Sequence, residues 1–284
     1  MSTRNNQDRL AGAGVQDTDP DPQEVNEGGL SFITPTEFVD LPSLGRYYPE
    51  NHPLHGQDTV EIRYMTAKDE DILTSQSLIK KGVVIDRLVQ SVLLDKSVRP
   101  QELLIGDKNA ILVAARVTGY GSDYETRVDC PACNVNAEHI FDLNDSLKVN
   151  HADQELDEGV QITDNGTVLV QLPLTNLNIE ARLMTGKEET KILSMAERKK
   201  KLKLQESSLT DQFKIIIVAV DGHTEASTIS SVVDRLPAQD ARHLREAYAK
   251  VTPNVELTSM FECEDCGHVE EVDVPITVQF FWPK

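Results

Sequence analysis

Glu61-Ile62-Arg63-Tyr64-Met65-Thr66-Ala67-Lys68 and Glu180-Ala181-Arg182-Leu183-Met184-Thr185-Gly186-Lys187 are two versions of one phrase. Residues 59–65 alternate apolar and polar side chains as a half-buried strand does, and Thr66 with Asp69 three residues on has the form of a capping box. The second copy ends on Thr185, which leads into a charged helix through Ile192 and Leu193.

Reading outward from the first copy, a helix through Ile72 and Leu73 is expected to end near Gly82. Ile85, Leu88, Val89 and Val92 mark one face of a second helix. A third opens at Asp107, with Ile111, Ala114 and Ala115 on one side, and stops at Gly119 and Gly121. Strands over Tyr124 to Val128 and Ala137 to Leu143 then flank Cys130-Pro131-Ala132-Cys133.

The second copy repeats the order. Strands are expected over Val168 to Leu172 and Leu177 to Met184, and Phe213, Ile216, Ile217 and Val220 reproduce the helical spacing of Ile85 to Val92. A helix opening at Asp240 turns Leu244, Ala247 and Tyr248 inward, and Cys263-Glu264-Asp265-Cys266 follows. Asp240 stands 23 positions before Cys263, as Asp107 stands 23 before Cys130, and Leu41-Pro42 has a counterpart in Leu172-Pro173. These matches predict an α+β fold of two related, duplicated modules, each strand, helices and strand with a Cys-x-x-Cys knuckle, the alternative being coincidence between short segments of a long chain whose identity outside the motifs is low. The bounds are 31–150 for the first module and 151–284 for the second. Residues 1–30, rich in Asp, Gln, Gly and Asn with few large apolar side chains, read as a mobile acidic tail, with order beginning near Leu30-Ser31-Phe32-Ile33. Pro35 to Pro53, with its prolines and Gly45, reads as a turn-rich loop pinned by Phe38, Tyr47 and Tyr48.

All four cysteines of the chain lie in the two knuckles. Two Cys-x-x-Cys turns supply the four thiolates of a tetrahedral structural zinc, so Cys130, Cys133, Cys263 and Cys266 are the expected ligands of one zinc-ribbon-like site joining the modules. Asn134 and Gly267, after each second cysteine, tolerate the left-handed backbone that curls such a turn around its sulfurs. The alternatives are reduced unligated cysteines or disulfide pairs. Against zinc stand the 129 residues between Cys133 and Cys263 and the negative charge of Asp129, Glu262, Glu264 and Asp265. A closed four-sulfur site leaves no position for water, which argues for stability, about 10 to 16 kcal/mol of apparent folding free energy, and against catalysis. His139 and His268 are reserve ligands.

The 284 residues carry 47 acidic against 28 basic side chains, a formal charge of −19 that disfavours general binding to phosphate backbones. No apolar run is long enough to cross a bilayer, and the Met1-Ser2-Thr3-Arg4-Asn5-Asn6 start lacks the apolar core of a secretory signal, so reduced thiols in a cytosolic setting are expected. His52-Pro53-Leu54-His55 reads as a loop before a metal edge, and Arg198-Lys199-Lys200-Lys201-Leu202-Lys203 as the solvated end of a charged helix, although a nucleic-acid contact is its alternative. There is no phosphate loop, nucleophile elbow or zinc-protease helix, so no enzyme, catalytic residue or small-molecule substrate is expected.

Thr36-Glu37-Phe38-Val39-Asp40-Leu41-Pro42-Ser43 with Gly45-Arg46-Tyr47-Tyr48-Pro49, then Glu61 to Leu73 and Leu104-Ile105-Gly106-Asp107-Lys108-Asn109, resembles the baseplate hub proteins of T4-like tailed bacteriophages. The resemblance is densest between Pro35 and Tyr124, and Phe280-Phe281-Trp282-Pro283 extends it to the end of the chain. It implies a non-enzymatic structural or assembly protein of a contractile-tail baseplate hub, partnered by other tail and hub proteins, found in the virion and, during assembly, in the host cytoplasm. The competing reading is a zinc-ribbon binding module that engages nucleic acid or the transcription apparatus. Phe38, Tyr47, Tyr48 and Phe280 to Trp282 are candidate partner contacts, with core packing as the alternative for each.

Overall fold

The two copies of the phrase become strand and capped helix in both places. The computed structural model describes residues 34–152, 156–203, 208–274 and 278–281. The tail expected over residues 1–30 and the start of order at Leu30 to Ile33 lie outside them. Strand β1 (Thr36–Asp40) pairs antiparallel with β2 (Thr59–Arg63), Val39 opposite Val60. The start of the expected loop is therefore a strand, because the alternation of Phe38 and Val39 finds a partner in Val60 and Glu61.

At the end of β2 the Thr66 amide donates to Asp69 Oδ2 at 2.7 Å, opening α1 (Ala67–Thr74). The single helix expected to run to Gly82 is broken at Ser75, whose extended backbone separates α1 from α2 (Gln76–Lys80), and Gly82 ends α2 with a φ of +67°. Helix α3 (Val84–Val92) buries Leu88, Val89 and Val92, and α4 (Ile105–Tyr120) follows a 3₁₀ turn at Pro100–Glu102. The hairpin of β3 (Asp123–Asp129) and β4 (Asn136–Asp142) carries the first knuckle. A short helix α5 (Leu143–Ser146), capped by Asp142, leads into β5 (Leu147–Asn150).

The second copy begins with β6 (Val160–Ile162), β7 (Thr167–Gln171) and β8 (Asn178–Arg182), and the Thr185–Glu188 capping box opens α6 (Gly186–Lys201). Helix α7 (Ser208–Ile216) buries Phe213 and Ile216, but Ile217 and Val220 do not continue it. They belong to β9 (Ile217–Val220), paired with β8 in the order β6-β7-β8-β9, because the run of β-branched residues from Ile215 finds an open edge there. Helices α8 (Ala226–Val233) and α9 (Ala238–Val251) follow, and Leu244, Ala247 and Tyr248 are buried as their spacing predicts. The hairpin of β10 (Asn254–Glu262) and β11 (Val269–Asp273) carries the second knuckle.

A similar polar lock occurs in both halves. Asp107, in the first turn of α4, accepts from the Ser43 amide (3.0 Å), the Ser43 hydroxyl (2.6 Å) and the Tyr48 hydroxyl (2.7 Å). Asp240, in the first turn of α9, accepts from the Leu174 and Thr175 amides (2.9 and 3.0 Å) and the Thr175 hydroxyl (2.8 Å). The amide satisfied first is in each case that of the residue after Pro42 or Pro173. A carboxylate at a helix start also meets the positive end of the helix dipole.

The two halves are joined by more than their tips. Ile105 donates to the Met184 carbonyl and Gly186 to the Leu103 carbonyl, both at 3.1 Å, and β5 pairs with the first half of β10. Lys108, almost buried, bridges Asp86 on α3 and Glu189 on α6 at 2.9 and 3.0 Å. Helix α4 meets the chain entering β10 so closely that a Cβ on Gly106 would lie 2.1 Å from the Pro253 carbonyl oxygen.

Candidate metal centre

Each knuckle is a tight turn at the tip of a hairpin. Cys130 donates its amide to the Val135 carbonyl (2.9 Å) and Asn134 donates to the Cys130 carbonyl (2.9 Å). In the second hairpin Cys263 donates to His268 (2.9 Å) and Gly267 to Cys263 (2.8 Å). Asn134 and Gly267 take φ values of +57° and +68°, the left-handed conformation expected at both places. The turns are thus superposable in hydrogen bonding, although one uses asparagine and the other glycine.

The tips meet crosswise. Cys130 Sγ lies 3.8 Å from Cys266 Sγ and Cys133 Sγ lies 3.7 Å from Cys263 Sγ, and all four sulfurs fall within 4.8 Å of one another. These gaps are far beyond a disulfide bond of about 2.05 Å. A tetrahedron with metal–sulfur bonds of about 2.3 Å has its sulfurs about 3.8 Å apart, so the tetrad is open by the amount a thiolate-bound ion requires. Cys130 and Cys263 are buried at the base, while Cys133 and Cys266 sit on the exposed side of the turn.

The turns also prepare the thiols for ligation. The Cys133 amide, then that of Ala132, point at Cys130 Sγ and bring its pKa down to about 6, which favours a thiolate there. At Cys133 the Val135 amide favours the thiolate, but the neighbouring sulfurs outweigh it and push that thiol up to about 12. The Cys266 thiol is raised as well, the His268 amide being outweighed by burial and by its neighbouring sulfurs. Four thiols this close resist ionising together unless a cation offsets their charge.

Neither reserve histidine joins the tetrad. The His139 ring packs edge-on between Phe141 (4.5 Å) and Phe261 (5.4 Å), filling the space between the inner faces of the hairpins, and His268 Nε2 pairs with Glu270 at 2.9 Å. His52 stacks on Tyr48 with ring centroids 4.2 Å apart, and His55 Nδ1 contacts the Tyr48 carbonyl, so the His-Pro-Leu-His segment is tied to its own loop. The basic block occupies the last turn of α6, where Lys199 reaches Asp211 on α7. Tyr47, Tyr48, Phe280 and Phe281 are buried, Phe38 is 67% exposed, and Trp282 lies outside the described residues.

A buried group that no sequence pattern marked is Arg116. It sits among the apolar positions of α4 and donates to the carbonyls of Phe280, Gly121 and Asp123, with its guanidinium over the rings of Tyr120, Tyr124 and Phe280. It fastens the end of the described chain to the base of the first hairpin. Among the described residues no helix is long and apolar enough to cross a membrane, and no other cluster of metal-ligating side chains occurs.

A family model described as T4 bacteriophage base plate protein matches residues 36–282, a span that runs from the first residue of β1 past the second knuckle. Comparison with curated proteins and with solved structures returns no match.

Proposed function

The chain belongs to the T4 bacteriophage base plate protein family, and on that premise we propose that it is a structural or assembly protein of the hub of a contractile-tail baseplate. It works through contacts with other baseplate proteins, without catalysis, in the virion tail and in the host cytoplasm while tails assemble. The observation that carries this reading is the family match across nearly the whole chain, together with a site whose chemistry is mechanical.

The four sulfurs are proposed to hold one zinc ion. Their spacing and their complete use of a tetrahedron support a structural ion, since no ligand position is left for water or substrate. The residues that would hold it are Cys130 and Cys133 from one hairpin and Cys263 and Cys266 from the other. Bound zinc supplies a crosslink, and the hairpin turns supply its geometry. The matched capping boxes, Asp locks and knuckles support descent of residues 31–150 and 151–284 from one duplicated module.

Two measurements test this. Metal analysis of the purified, reduced chain is expected to give one zinc per molecule, and folded protein with none would overturn the clasp. Antibody labelling and mass spectrometry of purified particles and of tail precursors are expected to find the chain with the central baseplate in one or both. Its absence from both would overturn the hub assignment.

A further inference from the structure

Between β1 and β5 the molecule has a groove of about 210 Å³ whose floor is one face of α4, the stripe Ala110, Val113, Ala114 and Val117. Its two walls are strand edges. Among the described residues β1 has β2 as its only sheet neighbour, and β5 is the outermost strand of the order β11-β10-β5. The alternation of an antiparallel ladder tells which backbone groups face the groove. Leu41 donates to Asp58, whereas the Glu61 carbonyl turns away from β1 to accept from Leu94. The residue opposite Glu61 is Phe38, so Phe38, and with it Asp40, direct their N–H and C=O groups off the free side of β1. On the other wall the Leu257 carbonyl is taken by the Val274 amide of the following segment, so Leu147 and Val149, opposite Leu257 and Val255, are the residues of β5 with outward groups. All four of these residues line the groove.

The walls converge at one end, where Ala152 donates to the Pro42 carbonyl at 3.0 Å, and open towards Thr36 and Leu147. The rim is acidic. Asp40 is exposed on the outer face of β1 with Phe38, Glu61 lies beside Phe38 on that face, and Lys148 is turned away to Glu271. An open backbone edge above an apolar floor, with carboxylates at the rim, is the arrangement that accepts an added strand.

We propose that this groove is a docking site for an extended segment of a partner protein, in which apolar residues alternate with lysine or arginine. The segment enters at the open end and pairs with the edge of β1. Its apolar side chains seat on Ala110, Val113, Ala114 and Val117, and its cations, on the opposite face, meet Asp40 and Glu61. The inference rests on the reading of the chain as one that acts through protein contacts, and it is independent of the metal and of the place in the baseplate.

The test uses the full chain and capped ten-residue peptides of alternating valine and lysine, valine and glutamate, or glycine and lysine. The valine–lysine peptide is expected to bind saturably and to slow hydrogen exchange at the Phe38 and Asp40 amides by about tenfold or more, the effect of one added hydrogen bond. Phe38→Pro removes an outward donor without removing a rung of the β1–β2 ladder, and is expected to weaken binding by about tenfold. If that variant does not fold, Ala114→Lys, which fills the floor and repels the peptide's cations, is expected to do the same. No saturable binding, equal binding of either control peptide, or binding untouched by the folded variant would overturn the proposal. So would a dimer of the chain that Phe38→Pro dissolves, since a second copy would then be the occupant. Failure of this test leaves the particle and metal measurements unaffected, which separates it from failure of the functional reading.

Discussion

Residues 36–142 and 167–273 solve the same local problems with different strength. In the first, Asp69 is fully buried and holds Arg63 through two hydrogen bonds of 2.7 and 2.9 Å, with Ser91 on the same guanidinium. In the second, Glu188 fills the equivalent position but meets Arg182, whose side chain is half exposed, at 3.8 Å. The Asp locks differ in another way. Asp107 lies deep in the chain, and burial raises its pKa above the usual carboxylate range in spite of three donors. At Asp240 burial also raises the pKa, but the Leu174 and Thr175 amides and the Thr175 hydroxyl outweigh it and hold the carboxyl below that range. Both side chains are closed to water, yet the cover over Asp240 is thin, since Leu174 beside it is 56% exposed. The same local arrangement can thus occur twice with different energetics.

The tetrad is the place where the two regions should count equally. Cys130→Ser and Cys263→Ser each remove one ligand from a shared site and are expected to lower the unfolding temperature alike, by about 10 °C or more in zinc-containing buffer. Calorimetry with and without chelator checks this, and unequal losses would break the equivalence of the hairpins. The capping boxes should count unequally. Asp69→Ala leaves Arg63 without its carboxylate and is expected to cost about 3 kcal/mol, against about 1 kcal/mol for Glu188→Ala, measured by urea unfolding. Equal costs would show that the shorter ion pair adds nothing.

The smallest expected effect has opposite signs in the two copies. Asp240 has a depressed folded-state pKa, so its contribution is present above the unfolded value of about 3.8 and is lost as pH falls below it. Asp107 has a raised one, so its protonation favours the folded state and offsets part of the acid loss. On acidification from pH 5 to pH 3, Asp240→Asn is expected to lose less stability than the parent and Asp107→Asn more. Slopes of the same sign would place the two carboxylates in the same environment.

What the sequence disclosed was what neighbouring residues decide among themselves. Thr66 with Asp69, the left-handed Asn134 and Gly267, and the buried faces of α3 and α9 depend on spacings of a few positions, and they formed as read. Ile217 and Val220 lie in a strand where their spacing predicts a helix, because a three-and-four spacing inside a β-branched run also fits a strand, and only the edge of β8 decides between them. The single helix expected to run to Gly82 is interrupted at Ser75, and because no Gly or Pro stands there the local sequence does not announce the break. The pairing of β5 with β10 and the three carbonyls around Arg116 join residues more than a hundred positions apart, or bury a charge in an apolar stripe, and no local pattern announces them. In the site itself, the four cysteines could be named from the sequence, but the crossed arrangement of Cys130 with Cys266 and Cys133 with Cys263 could not.

That crossing has a consequence for how the molecule comes into being on the ribosome. Cys130 and Cys266 are 136 positions apart, so when the first hairpin has emerged it offers two thiols and no closed site. The other two follow only once synthesis has passed Cys266. At a synthesis rate of about 5 to 20 residues per second, the first pair waits on the order of ten seconds for its partner. Any ion held by all four sulfurs therefore has to wait for the second hairpin, and a chain interrupted before Cys266 cannot close the same tip.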